Sequence, residues 1–345
     1  MGSGNVPKSK PEFSITIPSY TGAATIDATF DALIAQAEHL QDAEVVVLLD
    51  GPNKDLEQVV EAAKERFSDA GISYRHKALA ENRGRFVARQ EAANEAKADR
   101  LLFMDDRIQV GEGFFEQLFK RDDNVIIPNV LETSQPNAIS RLNYLIRLRV
   151  YGKKKWGEDF ESFDITAENF ESSAKGTGCL WVPKKLFLDI CKEMGKGLSR
   201  EELKRVSDDT RLLRMIVDSG ESIRRESAMK VYYSPRSEYG AELHHLYKRG
   251  IFFVDHYIKP GTRFFPFLMA MPIVLLVALA VVVVAGMSIL AWIGLGILGL
   301  LALLTLFLAR RVSDVIVVIV HLPITLSVFC AGVVRGFYHK FLKRQ

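Results

Sequence analysis

Between Arg263 and Arg310 the chain runs for 46 residues without one Asp, Glu, Lys or Arg. A bilayer crossing needs about 20 apolar residues, so this stretch is long enough for two. It divides at a tight turn into residues 264–286 and 288–309. A third apolar segment, residues 315–334, follows Arg310-Arg311 and contains His321 and Pro323. Two crossings return the chain to its starting side at Arg310-Arg311, in keeping with the surplus of positive charge on cytoplasmic loops. A third crossing would put His339, Lys340, Lys343 and Arg344 outside, against that bias. The third segment is therefore expected to be re-entrant or interfacial rather than a full crossing. A purely water-soluble protein is excluded.

Charge separates this tail from what precedes it. From Arg263 onward seven Lys and Arg stand against one Asp, while the residues before carry 38 basic and 41 acidic side chains. A mildly acidic front portion argues against nucleic acid as a partner. The three cysteines, Cys179, Cys191 and Cys330, form no CxxC pair, so neither a disulfide framework nor a zinc module is expected. The first residues contain no apolar run of the signal-peptide kind, which places the front portion in the cytoplasm. The expected organisation is a tail over 1–12, a folded domain over 13–262 and a membrane domain over 263–345. Such a chain would sit as a multi-pass protein in the cell (inner) membrane.

Within the front portion, two periodicities alternate. Short aliphatic runs at Phe13–Pro18, Glu44–Leu49, Ile72–His76, Leu101–Met104 and Asn124–Pro128 read as buried strands. Between them lie helical patterns at Asp27–Leu40, Leu56–Asp69, Phe86–Lys97 and Gly113–Lys120. Strand and helix in alternation predict an α/β fold with a mostly parallel, Rossmann-like sheet covered on both faces. From Asn137 to Phe170 the pattern is irregular and includes the basic run Lys153-Lys154-Lys155 before Trp156, read as a solvated helix end. Order resumes with a strand at Cys179–Val182, a helix from Pro183, and a capping box at Ser199 and Glu202. A helix opened by Asp208-Asp209, a strand around Met229–Tyr233 and a helix from Ser237 toward Tyr257 follow.

In open α/β sheets ligands bind at the carboxyl ends of the strands. Those ends are Pro18-Ser19-Tyr20, Asp50-Gly51-Pro52 and Asp105-Asp106-Arg107. Asp50 can accept from a ligand's N–H or hydroxyl groups, although an Asp before Gly-Pro also simply makes a turn. Asn82-Arg83-Gly84-Arg85, with Arg89 four residues on, puts two guanidinium groups on one helix face near its start, a setting suited to phosphate. Two carboxylates ending a strand, Asp105 and Asp106, are costly unless they meet a cation, a hydroxyl-rich ligand or Arg107. Asp208 and Asp209 make a second pair, fit either for helix capping or for proton abstraction.

The order of these elements resembles the family 2 glycosyltransferases, which have the GT-A fold, over roughly Phe13 to Tyr257. The run ENRGRFVARQEAANEAKADRLLFMDDR is similar to the family's nucleotide-binding stretch ending in its DxD motif. The resemblance implies an inverting enzyme that takes a sugar from a UDP or GDP sugar. It places Pro18, Ser19, Tyr20, Asp50, Asn82, Arg83, Gly84, Arg89, Asp105, Asp106 and Arg107 at the nucleotide sugar. It places Gly176, Thr177 and Gly178 at the acceptor, Asp209 as general base and Asp208 as its partner. Asp105 and Asp106 would hold a divalent cation, Mg²⁺ or Mn²⁺.

Two departures qualify that picture. Arg107 stands where the DxD has its second Asp, which weakens the expectation of metal dependence. The Gln-x-x-Arg-Trp motif of processive synthases is replaced by HHLYKRG, His244 to Gly250, which argues against long-polymer synthesis. The membrane tail implies a lipid-linked acceptor, either a polyprenyl phosphate or a lipid-linked glycan for envelope polysaccharide or glycolipid synthesis. The competing reading is a degenerate GT-A domain serving as a membrane assembly module. A homo-oligomer is compatible with either.

Overall fold

The computed structural model describes residues 10–152, 156–157, 160–204, 208–258 and 288–341, with scattered positions between 265 and 283. The expected crossing at 264–286 lies almost wholly outside the described residues, as do Lys153, Lys154 and Lys155. The chain divides into two compact units: residues up to Ser134 with Tyr151–Pro235, and Gln135–Val150 with Arg236–Gln345.

The first unit is built on one nine-stranded sheet. Its strands are β1 (Phe13–Ser19), β2 (Ala43–Leu49), β3 (Ser73–Ala78), β4 (Arg100–Met104), β5 (Ile108–Val110), β6 (Ile126–Glu132), β7 (Phe163–Ile165), β8 (Cys179–Pro183) and β9 (Ile223–Tyr233). They lie in the order β3-β2-β1-β4-β8-β6-β9-β5, with β7 on β9. The first four run parallel, so their carboxyl ends share one edge. β2 is buried at all seven positions, as a central strand covered on both faces must be. One face is covered by α1 (Ile26–Ile34), α2 (Lys54–Asp69) and α4 (Phe114–Phe119), where Phe30, Phe67, Phe114 and Phe115 fill the core. The other face is covered by α3 (Arg85–Glu95), α6 (Lys184–Gly195) and α8 (Asp208–Asp218), around Phe103, Phe187, Leu212 and Ile216.

Local signals account for several boundaries. Asn53 caps α2 by accepting from Leu56 N at 3.1 Å. The capping box at Ser199 forms as its spacing predicts, with Glu202 accepting from Ser199 N at 2.9 Å and opening the one-turn α7 (Arg200–Leu203). Where α1 was expected to reach Leu40, it stops at Ile34 and a short 3-10 turn follows.

The second unit contains α5 (Ala138–Tyr151), α9 (Tyr239–Tyr257), α10 (Ser288–Leu308) and α11 (Val312–Phe341). α5 lies where the sequence pattern looked irregular; its three arginines interrupt the apolar stripe. Its start is nevertheless capped, with Ser140 N donating to Asn137 Oδ1 at 2.9 Å. α10 matches the expected segment 288–309. Residues 315–334 lie within α11, an unbroken helix of 30 residues with Pro323 inside. Proline removes one backbone donor, but its fixed φ is helical, and the helix continues through it. Both helices are long and apolar enough to cross a membrane.

Glycines decide how α9 and α11 meet. A Cβ on Gly250 would lie 2.9 Å from Val333 N and 3.0 Å from Gly332 Cα, and one on Gly336 would lie 2.9 Å from Val254 Cβ. The helices therefore touch backbone to backbone along the Gly332–Gly336 spacing, the small-residue packing favoured between helices in lipid. Tyr239 Oη and His321 Nδ1, 2.9 Å apart, add a polar contact. Leu142 and Leu145 of α5 pack with Leu308, Val318 and Leu322.

Candidate active site

The parallel strands deliver their ends to one edge of the first unit. Ser19, closing β1, donates its hydroxyl to Asp106 Oδ2 beyond β4. The Tyr20 carbonyl accepts from Asn53 Nδ2 at 2.7 Å, and its ring is 44% exposed at the rim. Pro18 precedes them, half-buried within β1.

Asp50 is 4% exposed and turns its carboxylate toward the loop before α3. Oδ1 accepts from Arg83 N at 2.7 Å; Oδ2 accepts from Gly84 N at 3.0 Å and Asn82 Nδ2 at 3.1 Å. The next residue, Gly51, has φ +102, and a Cβ there would lie 2.5 Å from Asn82 N. Only glycine fits both that backbone and that approach. Asp50 thus fixes the shape of the Asn82-Arg83-Gly84 loop. Arg83 is itself braced by Glu91 at 3.2 Å.

Arg89 is the centre of the arrangement. It is 3% exposed, on the face of α3 turned to the sheet. Nη1 donates to Thr177 Oγ1 at 2.6 Å and to Asp209 Oδ1 at 3.0 Å. Nη2 donates to Asp105 Oδ1 at 2.8 Å and to the Thr177 carbonyl at 3.2 Å. The planar fork of arginine is the side chain able to hold acceptors from three separate segments at once. Thr177 reaches this point because β8 runs antiparallel to β4, which sets Gly178 O on Asp105 N at 2.8 Å. Gly176 and Gly178 flank it, and Gly178 approaches Asp105 closely. Thr177 also donates its hydroxyl to Asp209.

Arg85, which sequence reasoning noted only as the partner of Arg89 on one helix face, donates to Asp209 Oδ2 at 3.2 Å. The spacing of four residues between the two arginines was the signal for this. Burial alone would raise the Asp209 carboxyl, but Arg85 and Arg89 outweigh it and hold the group below the usual carboxylate range. Asp105 moves the other way: burial raises it, against the pull of Arg89 and Arg85 and with the charge of Asp209 adding to the rise. Two carboxylates joined by one arginine are thus driven apart in acidity, a pattern concentrated at functional sites. Asp208 opens α8, and its side chain lies outside the described residues.

Among the described residues no three His, Cys, Asp or Glu side chains form a metal-ligand group. Two adjacent carboxylates still suit a divalent cation that draws its other ligands from a diphosphate and water, so Asp105 and Asp106 are the residues that would hold one. Arg107 follows them; its backbone carbonyl accepts from Ser234 N at 2.9 Å and its Nη1 donates to Ser234 O at 3.5 Å.

The family described as Glycosyl transferase family 2 matches residues 14–185, about half of the chain. The validoxylamine A glucosyltransferase of Streptomyces hygroscopicus subsp. jinggangensis (strain 5008) is 27% identical over 185 residues, which is 50% of this chain and 42% of that protein. The chain thus spans less than half the length of that relative. Among solved structures, the mannosyltransferase PcManGT of Pyrobaculum calidifontis, in complex with GDP-Man and Mn²⁺, is similar with a TM-score of 0.59 at 16% identity. The match covers 97% of this chain and 89% of that one. The S. aureus TarS structure with UDP-GlcNAc is similar at a TM-score of 0.45 and 13% identity, over 72% of this chain and 67% of that one.

Proposed function

Because the chain belongs, through residues 14–185, to glycosyl transferase family 2, we propose that it moves a sugar from a nucleoside-diphosphate sugar to a lipid-linked acceptor. The observation that carries this reading is Arg89, whose buried guanidinium joins Asp105, Thr177 and Asp209 in one knot. That knot sits between the end of the nucleotide-binding strands and the loop assigned to the acceptor. It binds the two halves of a transfer site to each other.

In this mechanism Asp50 shapes the loop that receives the nucleotide, and Pro18, Ser19 and Tyr20 line the same edge. Asp209 takes the proton from the acceptor's hydroxyl, or from its phosphate group where that carries one, as that oxygen attacks the anomeric carbon from the face opposite the diphosphate. The new bond forms between acceptor oxygen and anomeric carbon. The bond from that carbon to the phosphate oxygen breaks, and its electron pair leaves on the nucleoside diphosphate. Inversion follows from that single displacement. Arg83 and Arg85, with Arg107 beside Asp106, would meet the leaving charge. A divalent cation on Asp105 and Asp106, when bound, would neutralise part of the same charge. Asp208 orients its neighbour.

The apolar helices support a membrane anchor, with the first unit in the cytoplasm and a polyprenyl phosphate or lipid-linked glycan as acceptor. The test uses the full chain in detergent with a panel of UDP and GDP sugars and short polyprenyl phosphates. The expected result is nucleoside diphosphate release that depends on acceptor and is lost in Asp209→Asn. Failure to bind any nucleotide sugar would leave the degenerate, assembly-module reading as the better account.

A further inference from the structure

The turn between the two apolar helices α10 and α11 contains a charged structure that the transfer reaction does not use. Asp314, 1% exposed, accepts from Arg310 N and Arg311 N at 3.0 Å each through Oδ2. Arg141 of α5 grips the same carboxylate with two nitrogens, at 2.8 and 3.0 Å, and donates to Gln135 Oε1 at 2.8 Å. Beside this knot lies an open cavity of about 440 Å³, lined among others by Gln135, Asn137, Arg141, Arg311, Ser313 and Asp314.

Charge in this corner does not balance. Asp314 neutralises one arginine, Arg141, while Arg310 and Arg311 are exposed and, among the described residues, their side chains have no carboxylate partner. Nor does α5 supply one, since Ala138–Tyr151 holds three arginines and no acid. Two positive charges thus remain at the point where the apolar run of α10 ends. The cavity offers the guanidinium of Arg311, a hydroxyl at Ser313 and the amide Nε2 of Gln135, all hydrogen-bond donors, while the Asn137 amide already donates to Arg236 O and Ser237 O. A ligand that fits must be anionic, rich in acceptor oxygens, and present where an apolar helix meets water.

We infer that this cavity is a binding site for the phosphate headgroup of an anionic membrane phospholipid, with the acyl chains lying along α10 and α11. Basic pockets between membrane helices take such headgroups through charge and donor geometry. The bound lipid would staple the helix turn to α5. The inference rests on reading α10 and α11 as membrane helices, and is independent of the sugar transfer.

The test uses the full chain and vesicles of phosphatidylcholine, alone or with phosphatidylglycerol. Flotation with both kinds is expected, together with a thermal stabilisation of several degrees by phosphatidylglycerol over phosphatidylcholine in mixed micelles. Arg311→Gln should abolish that difference, Ser313→Ala should reduce it, and Arg311→Lys, which keeps the charge, should retain most of it. Equal stabilisation by the two lipids, or a phosphatidylglycerol effect unchanged in Arg311→Gln, overturns the site. So does stabilisation by inorganic phosphate alone with no added effect of phosphatidylglycerol, which would make it a free-phosphate site. A chain that floats with neither vesicle overturns the membrane reading itself, a result separate from loss of lipid preference.

Discussion

Asp209→Asn keeps the shape of the side chain and deletes its charge and its basicity. Turnover should fall by about 10²–10⁴, the usual worth of general-base assistance, while donor binding is not weakened. Steady-state rates with a separate donor-binding measurement check both halves. The acidity of this carboxylate gives a second expectation. A native pKa held below the unfolded value near 4 adds stability above about pH 4, and that stability is lost as pH falls further. Arg85→Gln removes one of the two cations responsible, so the fall of Tm below about pH 4 should become shallower. Thermal unfolding across acid pH decides it; an unchanged slope would mean Arg85 does not set the acidity of Asp209. Asp50→Ala should lower nucleotide affinity and Tm together, because two part-buried backbone N–H groups lose their acceptor, each costing at most about 1–3 kcal/mol. The sequence pointed to Asp50 by its strand end, to Arg85 by its spacing from Arg89, and to Asp209 by its place at a helix start and the family resemblance. It did not show that Asp50 spends its oxygens on the Asn82–Gly84 loop, or that Arg89 turns inward to Thr177, since both depend on contacts between segments far apart in the chain.

Strands β1, β2 and β4 were legible because central parallel strands are short continuous aliphatic runs, and α2 because its apolar positions recur at helical spacing. β5 and β7 were not; three residues carry no period. α5 escaped for another reason, as arginines at 141, 147 and 149 break the stripe that marks a buried face. The glycines of α9 and α11 carry no signal of their own in the sequence, because their role depends on the two helices meeting. Gly332→Val should therefore destabilise the second unit by about 1–3 kcal/mol through overpacking against Tyr247 O. Gly294→Val on α10, where a Cβ meets nothing within 4 Å, is the matched control and should cost much less. Thermal unfolding of the two variants in detergent measures the difference.

Across the whole molecule, α11 has the length to settle an orientation. Thirty helical residues extend about 45 Å, more than the roughly 30 Å of a bilayer's hydrocarbon core. A cysteine placed at Lys343 should then react from the side opposite one placed at Arg310, and reaction from the same side would restore the re-entrant expectation. Charge bias favours the re-entrant or interfacial course and helix length favours a crossing, and the labelling decides between them. Metal dependence also belongs to this scale, since it depends on how the parts share the diphosphate charge. With Arg107 beside Asp105 and Asp106, chelation should slow turnover only in part, and complete, metal-reversible loss would show the ion to be required. One feature of the second unit bears on how the protein is made. Arg141 and Asp314 are separated by 173 positions, so α5 leaves the ribosome long before the residue it must grip exists. At about 5–20 residues per second that interval is about 9–35 s. For all of it, Leu142 and Leu145 lack their native cover. Nascent chains stalled in that window should bind a chaperone or the membrane through α5, and chains released after Phe341 should not.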